Sequence, residues 1–177
     1  MSEILTFSGH LMDPIHPDPQ LIHARDIAHA LSFLCRANGH FPTFYSVAQH
    51  SLACREEAAA RGWSKRLQLA CLLHDGSEAY LADVTRPVKA VMPLYLEYEA
   101  PLQEAIWNKW LGEPLTEEER KQVFHIDDTL LYHEFFAHTG YRLTETVPPI
   151  VSKPEFKFVE FSQVEKAFMD AFNELTA

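Results

Sequence analysis

The chain has 177 residues, close to the length of one domain, and its 47% apolar and 23% charged residues are the balance of a globular protein with a sizeable core. No apolar run approaches the roughly 18 residues a membrane span needs, and the opening MSEILTFSGH lacks a basic and then apolar leader, so a soluble cytoplasmic protein is expected. A net charge of −10 argues against a broad duplex nucleic-acid footprint and leaves an anionic substrate only a local positive site, made by a few Arg or Lys or by a metal.

In chain order, Ile4 to Phe7, Ser8-Gly9-His10 and Leu11-Met12 suggest a short strand with a turn, and the prolines from Pro14 to Pro19 a loop. From Asp26 the apolar spacing Ile27, Ala30, Leu31, Leu34 predicts a helix stopping near Asn38-Gly39. Ser46 and Gln49 form the spacing of a capping box for a second helix, ended by Gly62. Ser64 caps a third, which leads into His74-Asp75-Gly76. A fourth starts near Ser77 and breaks around Thr85-Arg86-Pro87. Tyr95 to Leu111 reads as an amphipathic helix, and Thr116 with Glu119 opens a long one that Gly140 stops. Phe156 to Phe161 suggests a second strand, and Ser162 with Glu165 a cap for the last helix. The expected fold is mainly α, one domain over residues 1–177, with two short terminal strands that pair and bring the chain ends together.

Ten histidines invite a search for metal ligands, whereas Cys35, Cys54 and Cys71 form no C-x-x-C pair and read as buried apolar residues in a reducing compartment. His50 lies near the start of the second helix and His74 near the end of the third. At 1.5 Å per residue the chain travels about 18 Å out and about 15 Å back, so antiparallel packing returns His74 to the level of His50. Two imidazoles and the Asp75 carboxylate then suit a divalent cation, helped by the negative end of the third helix. The plain alternative is a surface histidine and an ordinary helix end. Asp127 and Asp128 sit mid-helix in an apolar stretch, where one carboxylate on the apolar side needs a partner or a metal, while a solvated edge is the alternative for both.

The series His50, His74-Asp75 and a later helical Asp, set within FYSVAQHS, LLHDGSEAY, DVTRPVK and IAHALS followed by Cys35-Arg36, resembles the HD-domain phosphohydrolases over roughly residues 4–135. Within them it is similar to the small bacterial and prophage branch of the 5′-deoxynucleotidase, YfbR/YfdR type. The resemblance implies an HD-type helical bundle and a metal held by His50, His74, Asp75 and Asp127, the last preferred to Asp128 because Glu134 follows at seven residues. It also implies catalytic roles for Glu78 and Asp83 and phosphate contacts from Arg36, with Lys89 adding to them. In the deoxynucleotidase type a bulky aromatic follows that Arg and helps read the sugar; here Ala37 follows Arg36, which leaves deoxyribose selectivity open.

The expected activity is hydrolysis of nucleoside or deoxynucleoside 5′-monophosphates to nucleoside and phosphate, with one or more divalent ions (Mn, Co, Fe, Ni or Zn) as cofactor. The alternatives are hydrolysis of triphosphates, pyrophosphates or cyclic nucleotides by the same chemistry, and a non-catalytic nucleotide-binding protein on this scaffold. The expected partner is a phosphorylated small molecule, with neither membrane nor duplex nucleic acid. A homodimer or larger assembly is expected from the 95–111 helix, where Trp107 and Trp110 supply apolar area and Tyr95 and Tyr98 a rim, with the domain core as the equal alternative for the tryptophans. Without an ion, Asp75 and Asp127 should repel each other, so neutralising one should stabilise the protein.

Overall fold

The computed structural model describes residues 3–177. β1 (Ile4–Leu5) and β2 (Leu11–Met12) pair antiparallel, Ile4 opposite Met12, about a turn in which Gly9 has φ 83°. The Ser8 N–H donates to the buried Asp26 carboxylate at 2.6 Å, which fastens this hairpin to α1 (Ala24–Phe33).

The pairing expected between the two ends of the chain does not form. Residues 156–160 run without a ladder, because their backbone is used elsewhere: the Gln49 amide donates to the Lys157 carbonyl at 2.8 Å, while Phe156 and Val159 pack on the core. The chain ends nevertheless meet, since α1 packs along α8 (Phe161–Thr176) and His29 contacts Glu165 at 2.9 Å. That last helix begins two residues early, with Glu160 at its cap, so Ser162 falls inside the first turn and the expected Ser162–Glu165 capping box is absent.

α1 is also shorter than its apolar spacing predicts. At Leu34 the chain turns extended. The Arg36 N–H then donates to the Tyr45 carbonyl at 2.8 Å and the Val47 N–H to the Leu34 carbonyl at 3.0 Å. Ala37, Asn38 and Gly39 follow with φ of 52°, 51° and 77°. The Asn-Gly signal therefore serves a left-handed turn after Arg36 and not a helix end.

The helices that carry the site follow their capping signals. α2 (Val47–Ala60) starts on the Ser46–Gln49 capping box, and α3 (Lys65–Leu72) on the Ser64 hydroxyl. These two are neighbours joined by a tight turn. α4 (Glu78–Leu81) and α5 (Arg86–Lys89) are single turns separated at Ala82, whose φ is 77°. α6 (Pro93–Leu111) and α7 (Glu117–Thr139) complete the bundle; α7 starts on the Thr116–Glu119 box and ends at Gly140 with φ 72°.

One core joins these helices, centred on Leu31, Leu72, Leu73, Ile106, Ile126, Leu130 and Phe168. The two tryptophans assigned to a dimer face are used within it. Trp107 is buried and donates to the Ala70 carbonyl at 3.2 Å, and Trp110 packs edge-on against Phe172. Trp110 remains partly exposed, and the Tyr95 hydroxyl donates to the Ala82 carbonyl at 2.8 Å. No helix among the described residues is long and apolar enough to cross a membrane.

Candidate metal centre

His50 occupies the first turn of α2, and His74 lies in the turn after α3. The His74 Nδ1 is 2.8 Å from the Cys71 carbonyl, one of the acceptors that α3 leaves free at its end. The His50 Nδ1 is 2.6 Å from the buried Glu134 carboxylate on α7. With Nδ1 of each ring occupied as donor, the two Nε2 atoms are turned toward one point, 3.2 Å apart. Gly76 lets the chain turn there: a Cβ on it would lie 3.0 Å from the Leu73 carbonyl and 3.2 Å from Ile106.

Both carboxylates reach the same point. Asp127 Oδ1 is 3.0 Å from His50 Nε2 and 3.7 Å from His74 Nε2, and Asp75 Oδ2 lies 3.8 Å and 3.3 Å from them. Ligands about 2.1 Å from one ion lie between about 3.0 Å apart at right angles and about 4.2 Å when opposite. All five separations, 3.0 to 3.8 Å, fall inside that window. The residues thus fit a single divalent ion with two nitrogen and two oxygen donors. Asp128 takes no part: it is exposed and bound to Arg86 at 2.5 Å.

The surroundings of Asp127 favour its charged form. Burial acts to raise the Asp127 pKa, but contacts with His50 and His74 outweigh it and hold the group well below the usual carboxylate value. Arg86 adds an ion pair at 2.7 Å. Burial and Arg36 disfavour a proton on His50, yet the surrounding acids, Glu134 and Asp127 among them, hold its pKa well above 6.5. Asp127 is thus faced by Arg86 on one side and by the two imidazoles on the other.

The centre forms part of the wall of a cavity of about 880 Å³, within the range of small-molecule sites. Arg36, buried behind the left-handed turn, reaches Asp75 and Glu134 at 3.5 Å each, distances that leave its N–H groups available. Burial opposes its charge, but Glu134, Asp75 and Asp127 keep it protonated. Glu78 sits behind Asp75; burial and the charges of Asp75 and Asp83 push its carboxyl well above the usual range. Burial also raises Asp83, less strongly. Lys89 lines the cavity but is neutralised by Glu99 at 2.6 Å, with Glu78 at 3.5 Å.

Three participants escape a reading of the sequence. Cys54, one turn beyond His50, places its Sγ 3.5 Å from Nε2, and with His74 these donors lie within 4.8 Å of one another. Its i, i+4 spacing from His50 was the available signal. Glu134 serves as the support of His50 as well as a register mark for Asp127. Arg86, which bridges Asp127 and Asp128, has no local signal, because the partners lie 41 and 42 residues away and only the tertiary fold brings them within reach of its side chain.

No family model matches the chain. It is 38% identical over 112 residues to the uncharacterized protein YfdR of Escherichia coli, a match covering 62% of this chain and 59% of that protein. It is 43% identical over 105 residues to an uncharacterized protein of Rhodobacter capsulatus, covering 56% of this chain and 53% of the relative. The chain thus matches less than two thirds of the length of either relative.

Proposed function

We propose that this chain is a metal-dependent phosphohydrolase of the HD type, which cleaves nucleoside or deoxynucleoside 5′-monophosphates to nucleoside and orthophosphate. The observation that carries the reading is the convergence of His50, His74, Asp75 and Asp127 at the wall of a cavity that Arg36 also lines. That wall carries seven acidic against four basic side chains, so a phosphate dianion is repelled until a cation balances it.

A bound divalent ion supplies charge neutralisation at the phosphoryl group and a water of lowered pKa. The chain's own groups do the rest. Arg36 forks onto two phosphate oxygens and holds the group in line. Burial and its acidic neighbours raise the Glu78 carboxyl well above the usual range, which suits it to hold a proton and pass it to the leaving alkoxide. Asp83, at the cavity wall, accepts a hydrogen bond from the attacking water and orients it. Phe124, Leu131 and Phe135 give the cavity an apolar side suited to a nucleobase.

The test is phosphate release from a panel of ribo- and deoxyribonucleotides by protein loaded with Mn, with His74→Ala as control. Orthophosphate from monophosphates, lost in the control, is the expected result. Silence on every monophosphate, while a triphosphate or a cyclic nucleotide reacts, would refute the assignment of the bond.

A further inference from the structure

The two histidines are shared by two different sets of partners. Toward the cavity stand the carboxylates of Asp75 and Asp127. Toward the core stands Cys54, buried among apolar side chains with Cys71 nearby on the next helix. Tetrahedral zinc, with bonds of about 2.3 Å to sulfur and about 2.05 Å to nitrogen, places such ligands about 3.5 Å apart for S···N and about 3.3 Å for N···N. The observed separations are 3.5 Å for Cys54 Sγ to His50 Nε2 and 3.2 Å between the two Nε2 atoms. Valine or alanine would fill a small apolar slot equally well, and neither would contribute a donor at this spacing.

We propose that Cys54 is a metal ligand, which with His50, His74 and Asp127 closes a four-coordinate shell around a thiophilic divalent ion such as zinc or cadmium, whereas harder ions such as manganese take the His50, His74, Asp75, Asp127 side open to the cavity. This rests on the metal reading of the same histidines. Thiolate is a soft donor and selects softer ions, and carboxylate suits harder ones. Coordination forms the metal–sulfur bond and releases the thiol proton to solvent, so no redox partner is involved. Four protein ligands leave no position for water. Zinc in this shell therefore stops hydrolysis, where manganese on the open side supports it.

The metal-stripped full chain is titrated with cobalt(II), zinc and manganese, for the wild type and for Cys54→Val and Cys71→Val. The expected spectrum of the wild-type cobalt protein contains a sulfur-to-cobalt charge-transfer band in the near ultraviolet, absent in Cys54→Val and retained in Cys71→Val. Zinc affinity, from chelator competition, falls at least tenfold in Cys54→Val, while manganese affinity stays within twofold. Cobalt bound with its visible d–d bands but no charge-transfer band, or zinc affinity unchanged in Cys54→Val, would overturn the role of Cys54 and leave the metal reading standing. Failure to bind any of the three ions would overturn both. Should Cys54→Val not fold, the wild-type band and its survival in Cys71→Val decide the question, since Cys54 is then the only buried thiol within reach of the histidines among the described residues.

Discussion

Replacing Glu134 by Gln changes a buried charge with almost no change of shape. The His50 Nδ1–H points at Glu134 Oε1 at 2.6 Å, and both side chains are fully buried. A hydrogen bond to a charged acceptor contributes about 1.5–3 kcal/mol, and a neutral one about 0.5–1.5 kcal/mol. The difference of about 1–1.5 kcal/mol corresponds to a loss of about 5- to 13-fold in affinity for an ion on Nε2. A second effect adds to it: the other carboxylate oxygen faces the Arg36 guanidinium at 3.5 Å, and the Gln amide would present a donor to a donor. The two together fit the 10- to 100-fold that losing the support of a metal-bound histidine usually costs, about that order here. Chelator competition with manganese or cobalt measures it. An affinity in Glu134→Gln within about threefold of the wild type, well below that range, would refute the orienting role of Glu134.

The two neighbouring aspartates should separate sharply. Asp127→Asn should weaken metal binding by at least about 100-fold, as loss of a direct ligand exceeds loss of a supporting residue. Asp128→Asn breaks only an exposed ion pair, worth about 0–1 kcal/mol, and should change binding less than about fivefold; the reverse order, read by metal analysis of both variants, would move the ligand to Asp128. Glu57, buried on α2, accepts from the Val151 and Ser152 N–H groups, the Ser152 hydroxyl and Arg61, and so clasps the 148–152 loop. Burial would raise its pKa, but these donors outweigh it and lower the value below 4.5, so its stabilisation is complete above about pH 4.5 and is lost as pH falls through the lower folded value. Glu57→Gln should therefore cost about 1–3 kcal/mol at neutral pH and show a smaller drop in Tm on acidification than the wild type; parallel pH profiles would contradict this. Gly76→Ala should lower Tm and metal affinity together, because its Cβ must push Ile106 or the Leu73 carbonyl away by a few tenths of an ångström; normal values for both would show that the turn yields freely.

Local chemistry made much of this molecule readable in advance. The boxes at Ser46–Gln49 and Thr116–Glu119 and the stops at Gly62 and Gly140 act within one turn of chain, and the structure keeps each of them. The convergence of His50 and His74 followed from helix rise and a short connection, and the choice of Asp127 over Asp128 from the resemblance, in which Glu134 follows at seven residues. Features that depend on distant parts of the chain were not readable. Leu34 to Arg36 leaves the helical path because residues 44–47 offer backbone partners, and nothing in the local apolar spacing records that. Residues 156–160 alternate like a strand but find Gln49 in place of a ladder. Trp107 and Trp110 at i, i+3 fit a core and an interface equally well, and their contacts with Ala70 and Phe172 depend on distant parts of the chain.

The most direct measurement is the anomalous diffraction of a crystal soaked in manganese. A peak is expected about 2.1–2.2 Å from His50 Nε2, His74 Nε2, Asp75 Oδ2 and Asp127 Oδ1, bordering the cavity near Arg36. A peak held elsewhere, or no peak at these four atoms at saturating manganese, would contradict the metal centre and with it the proposed hydrolysis.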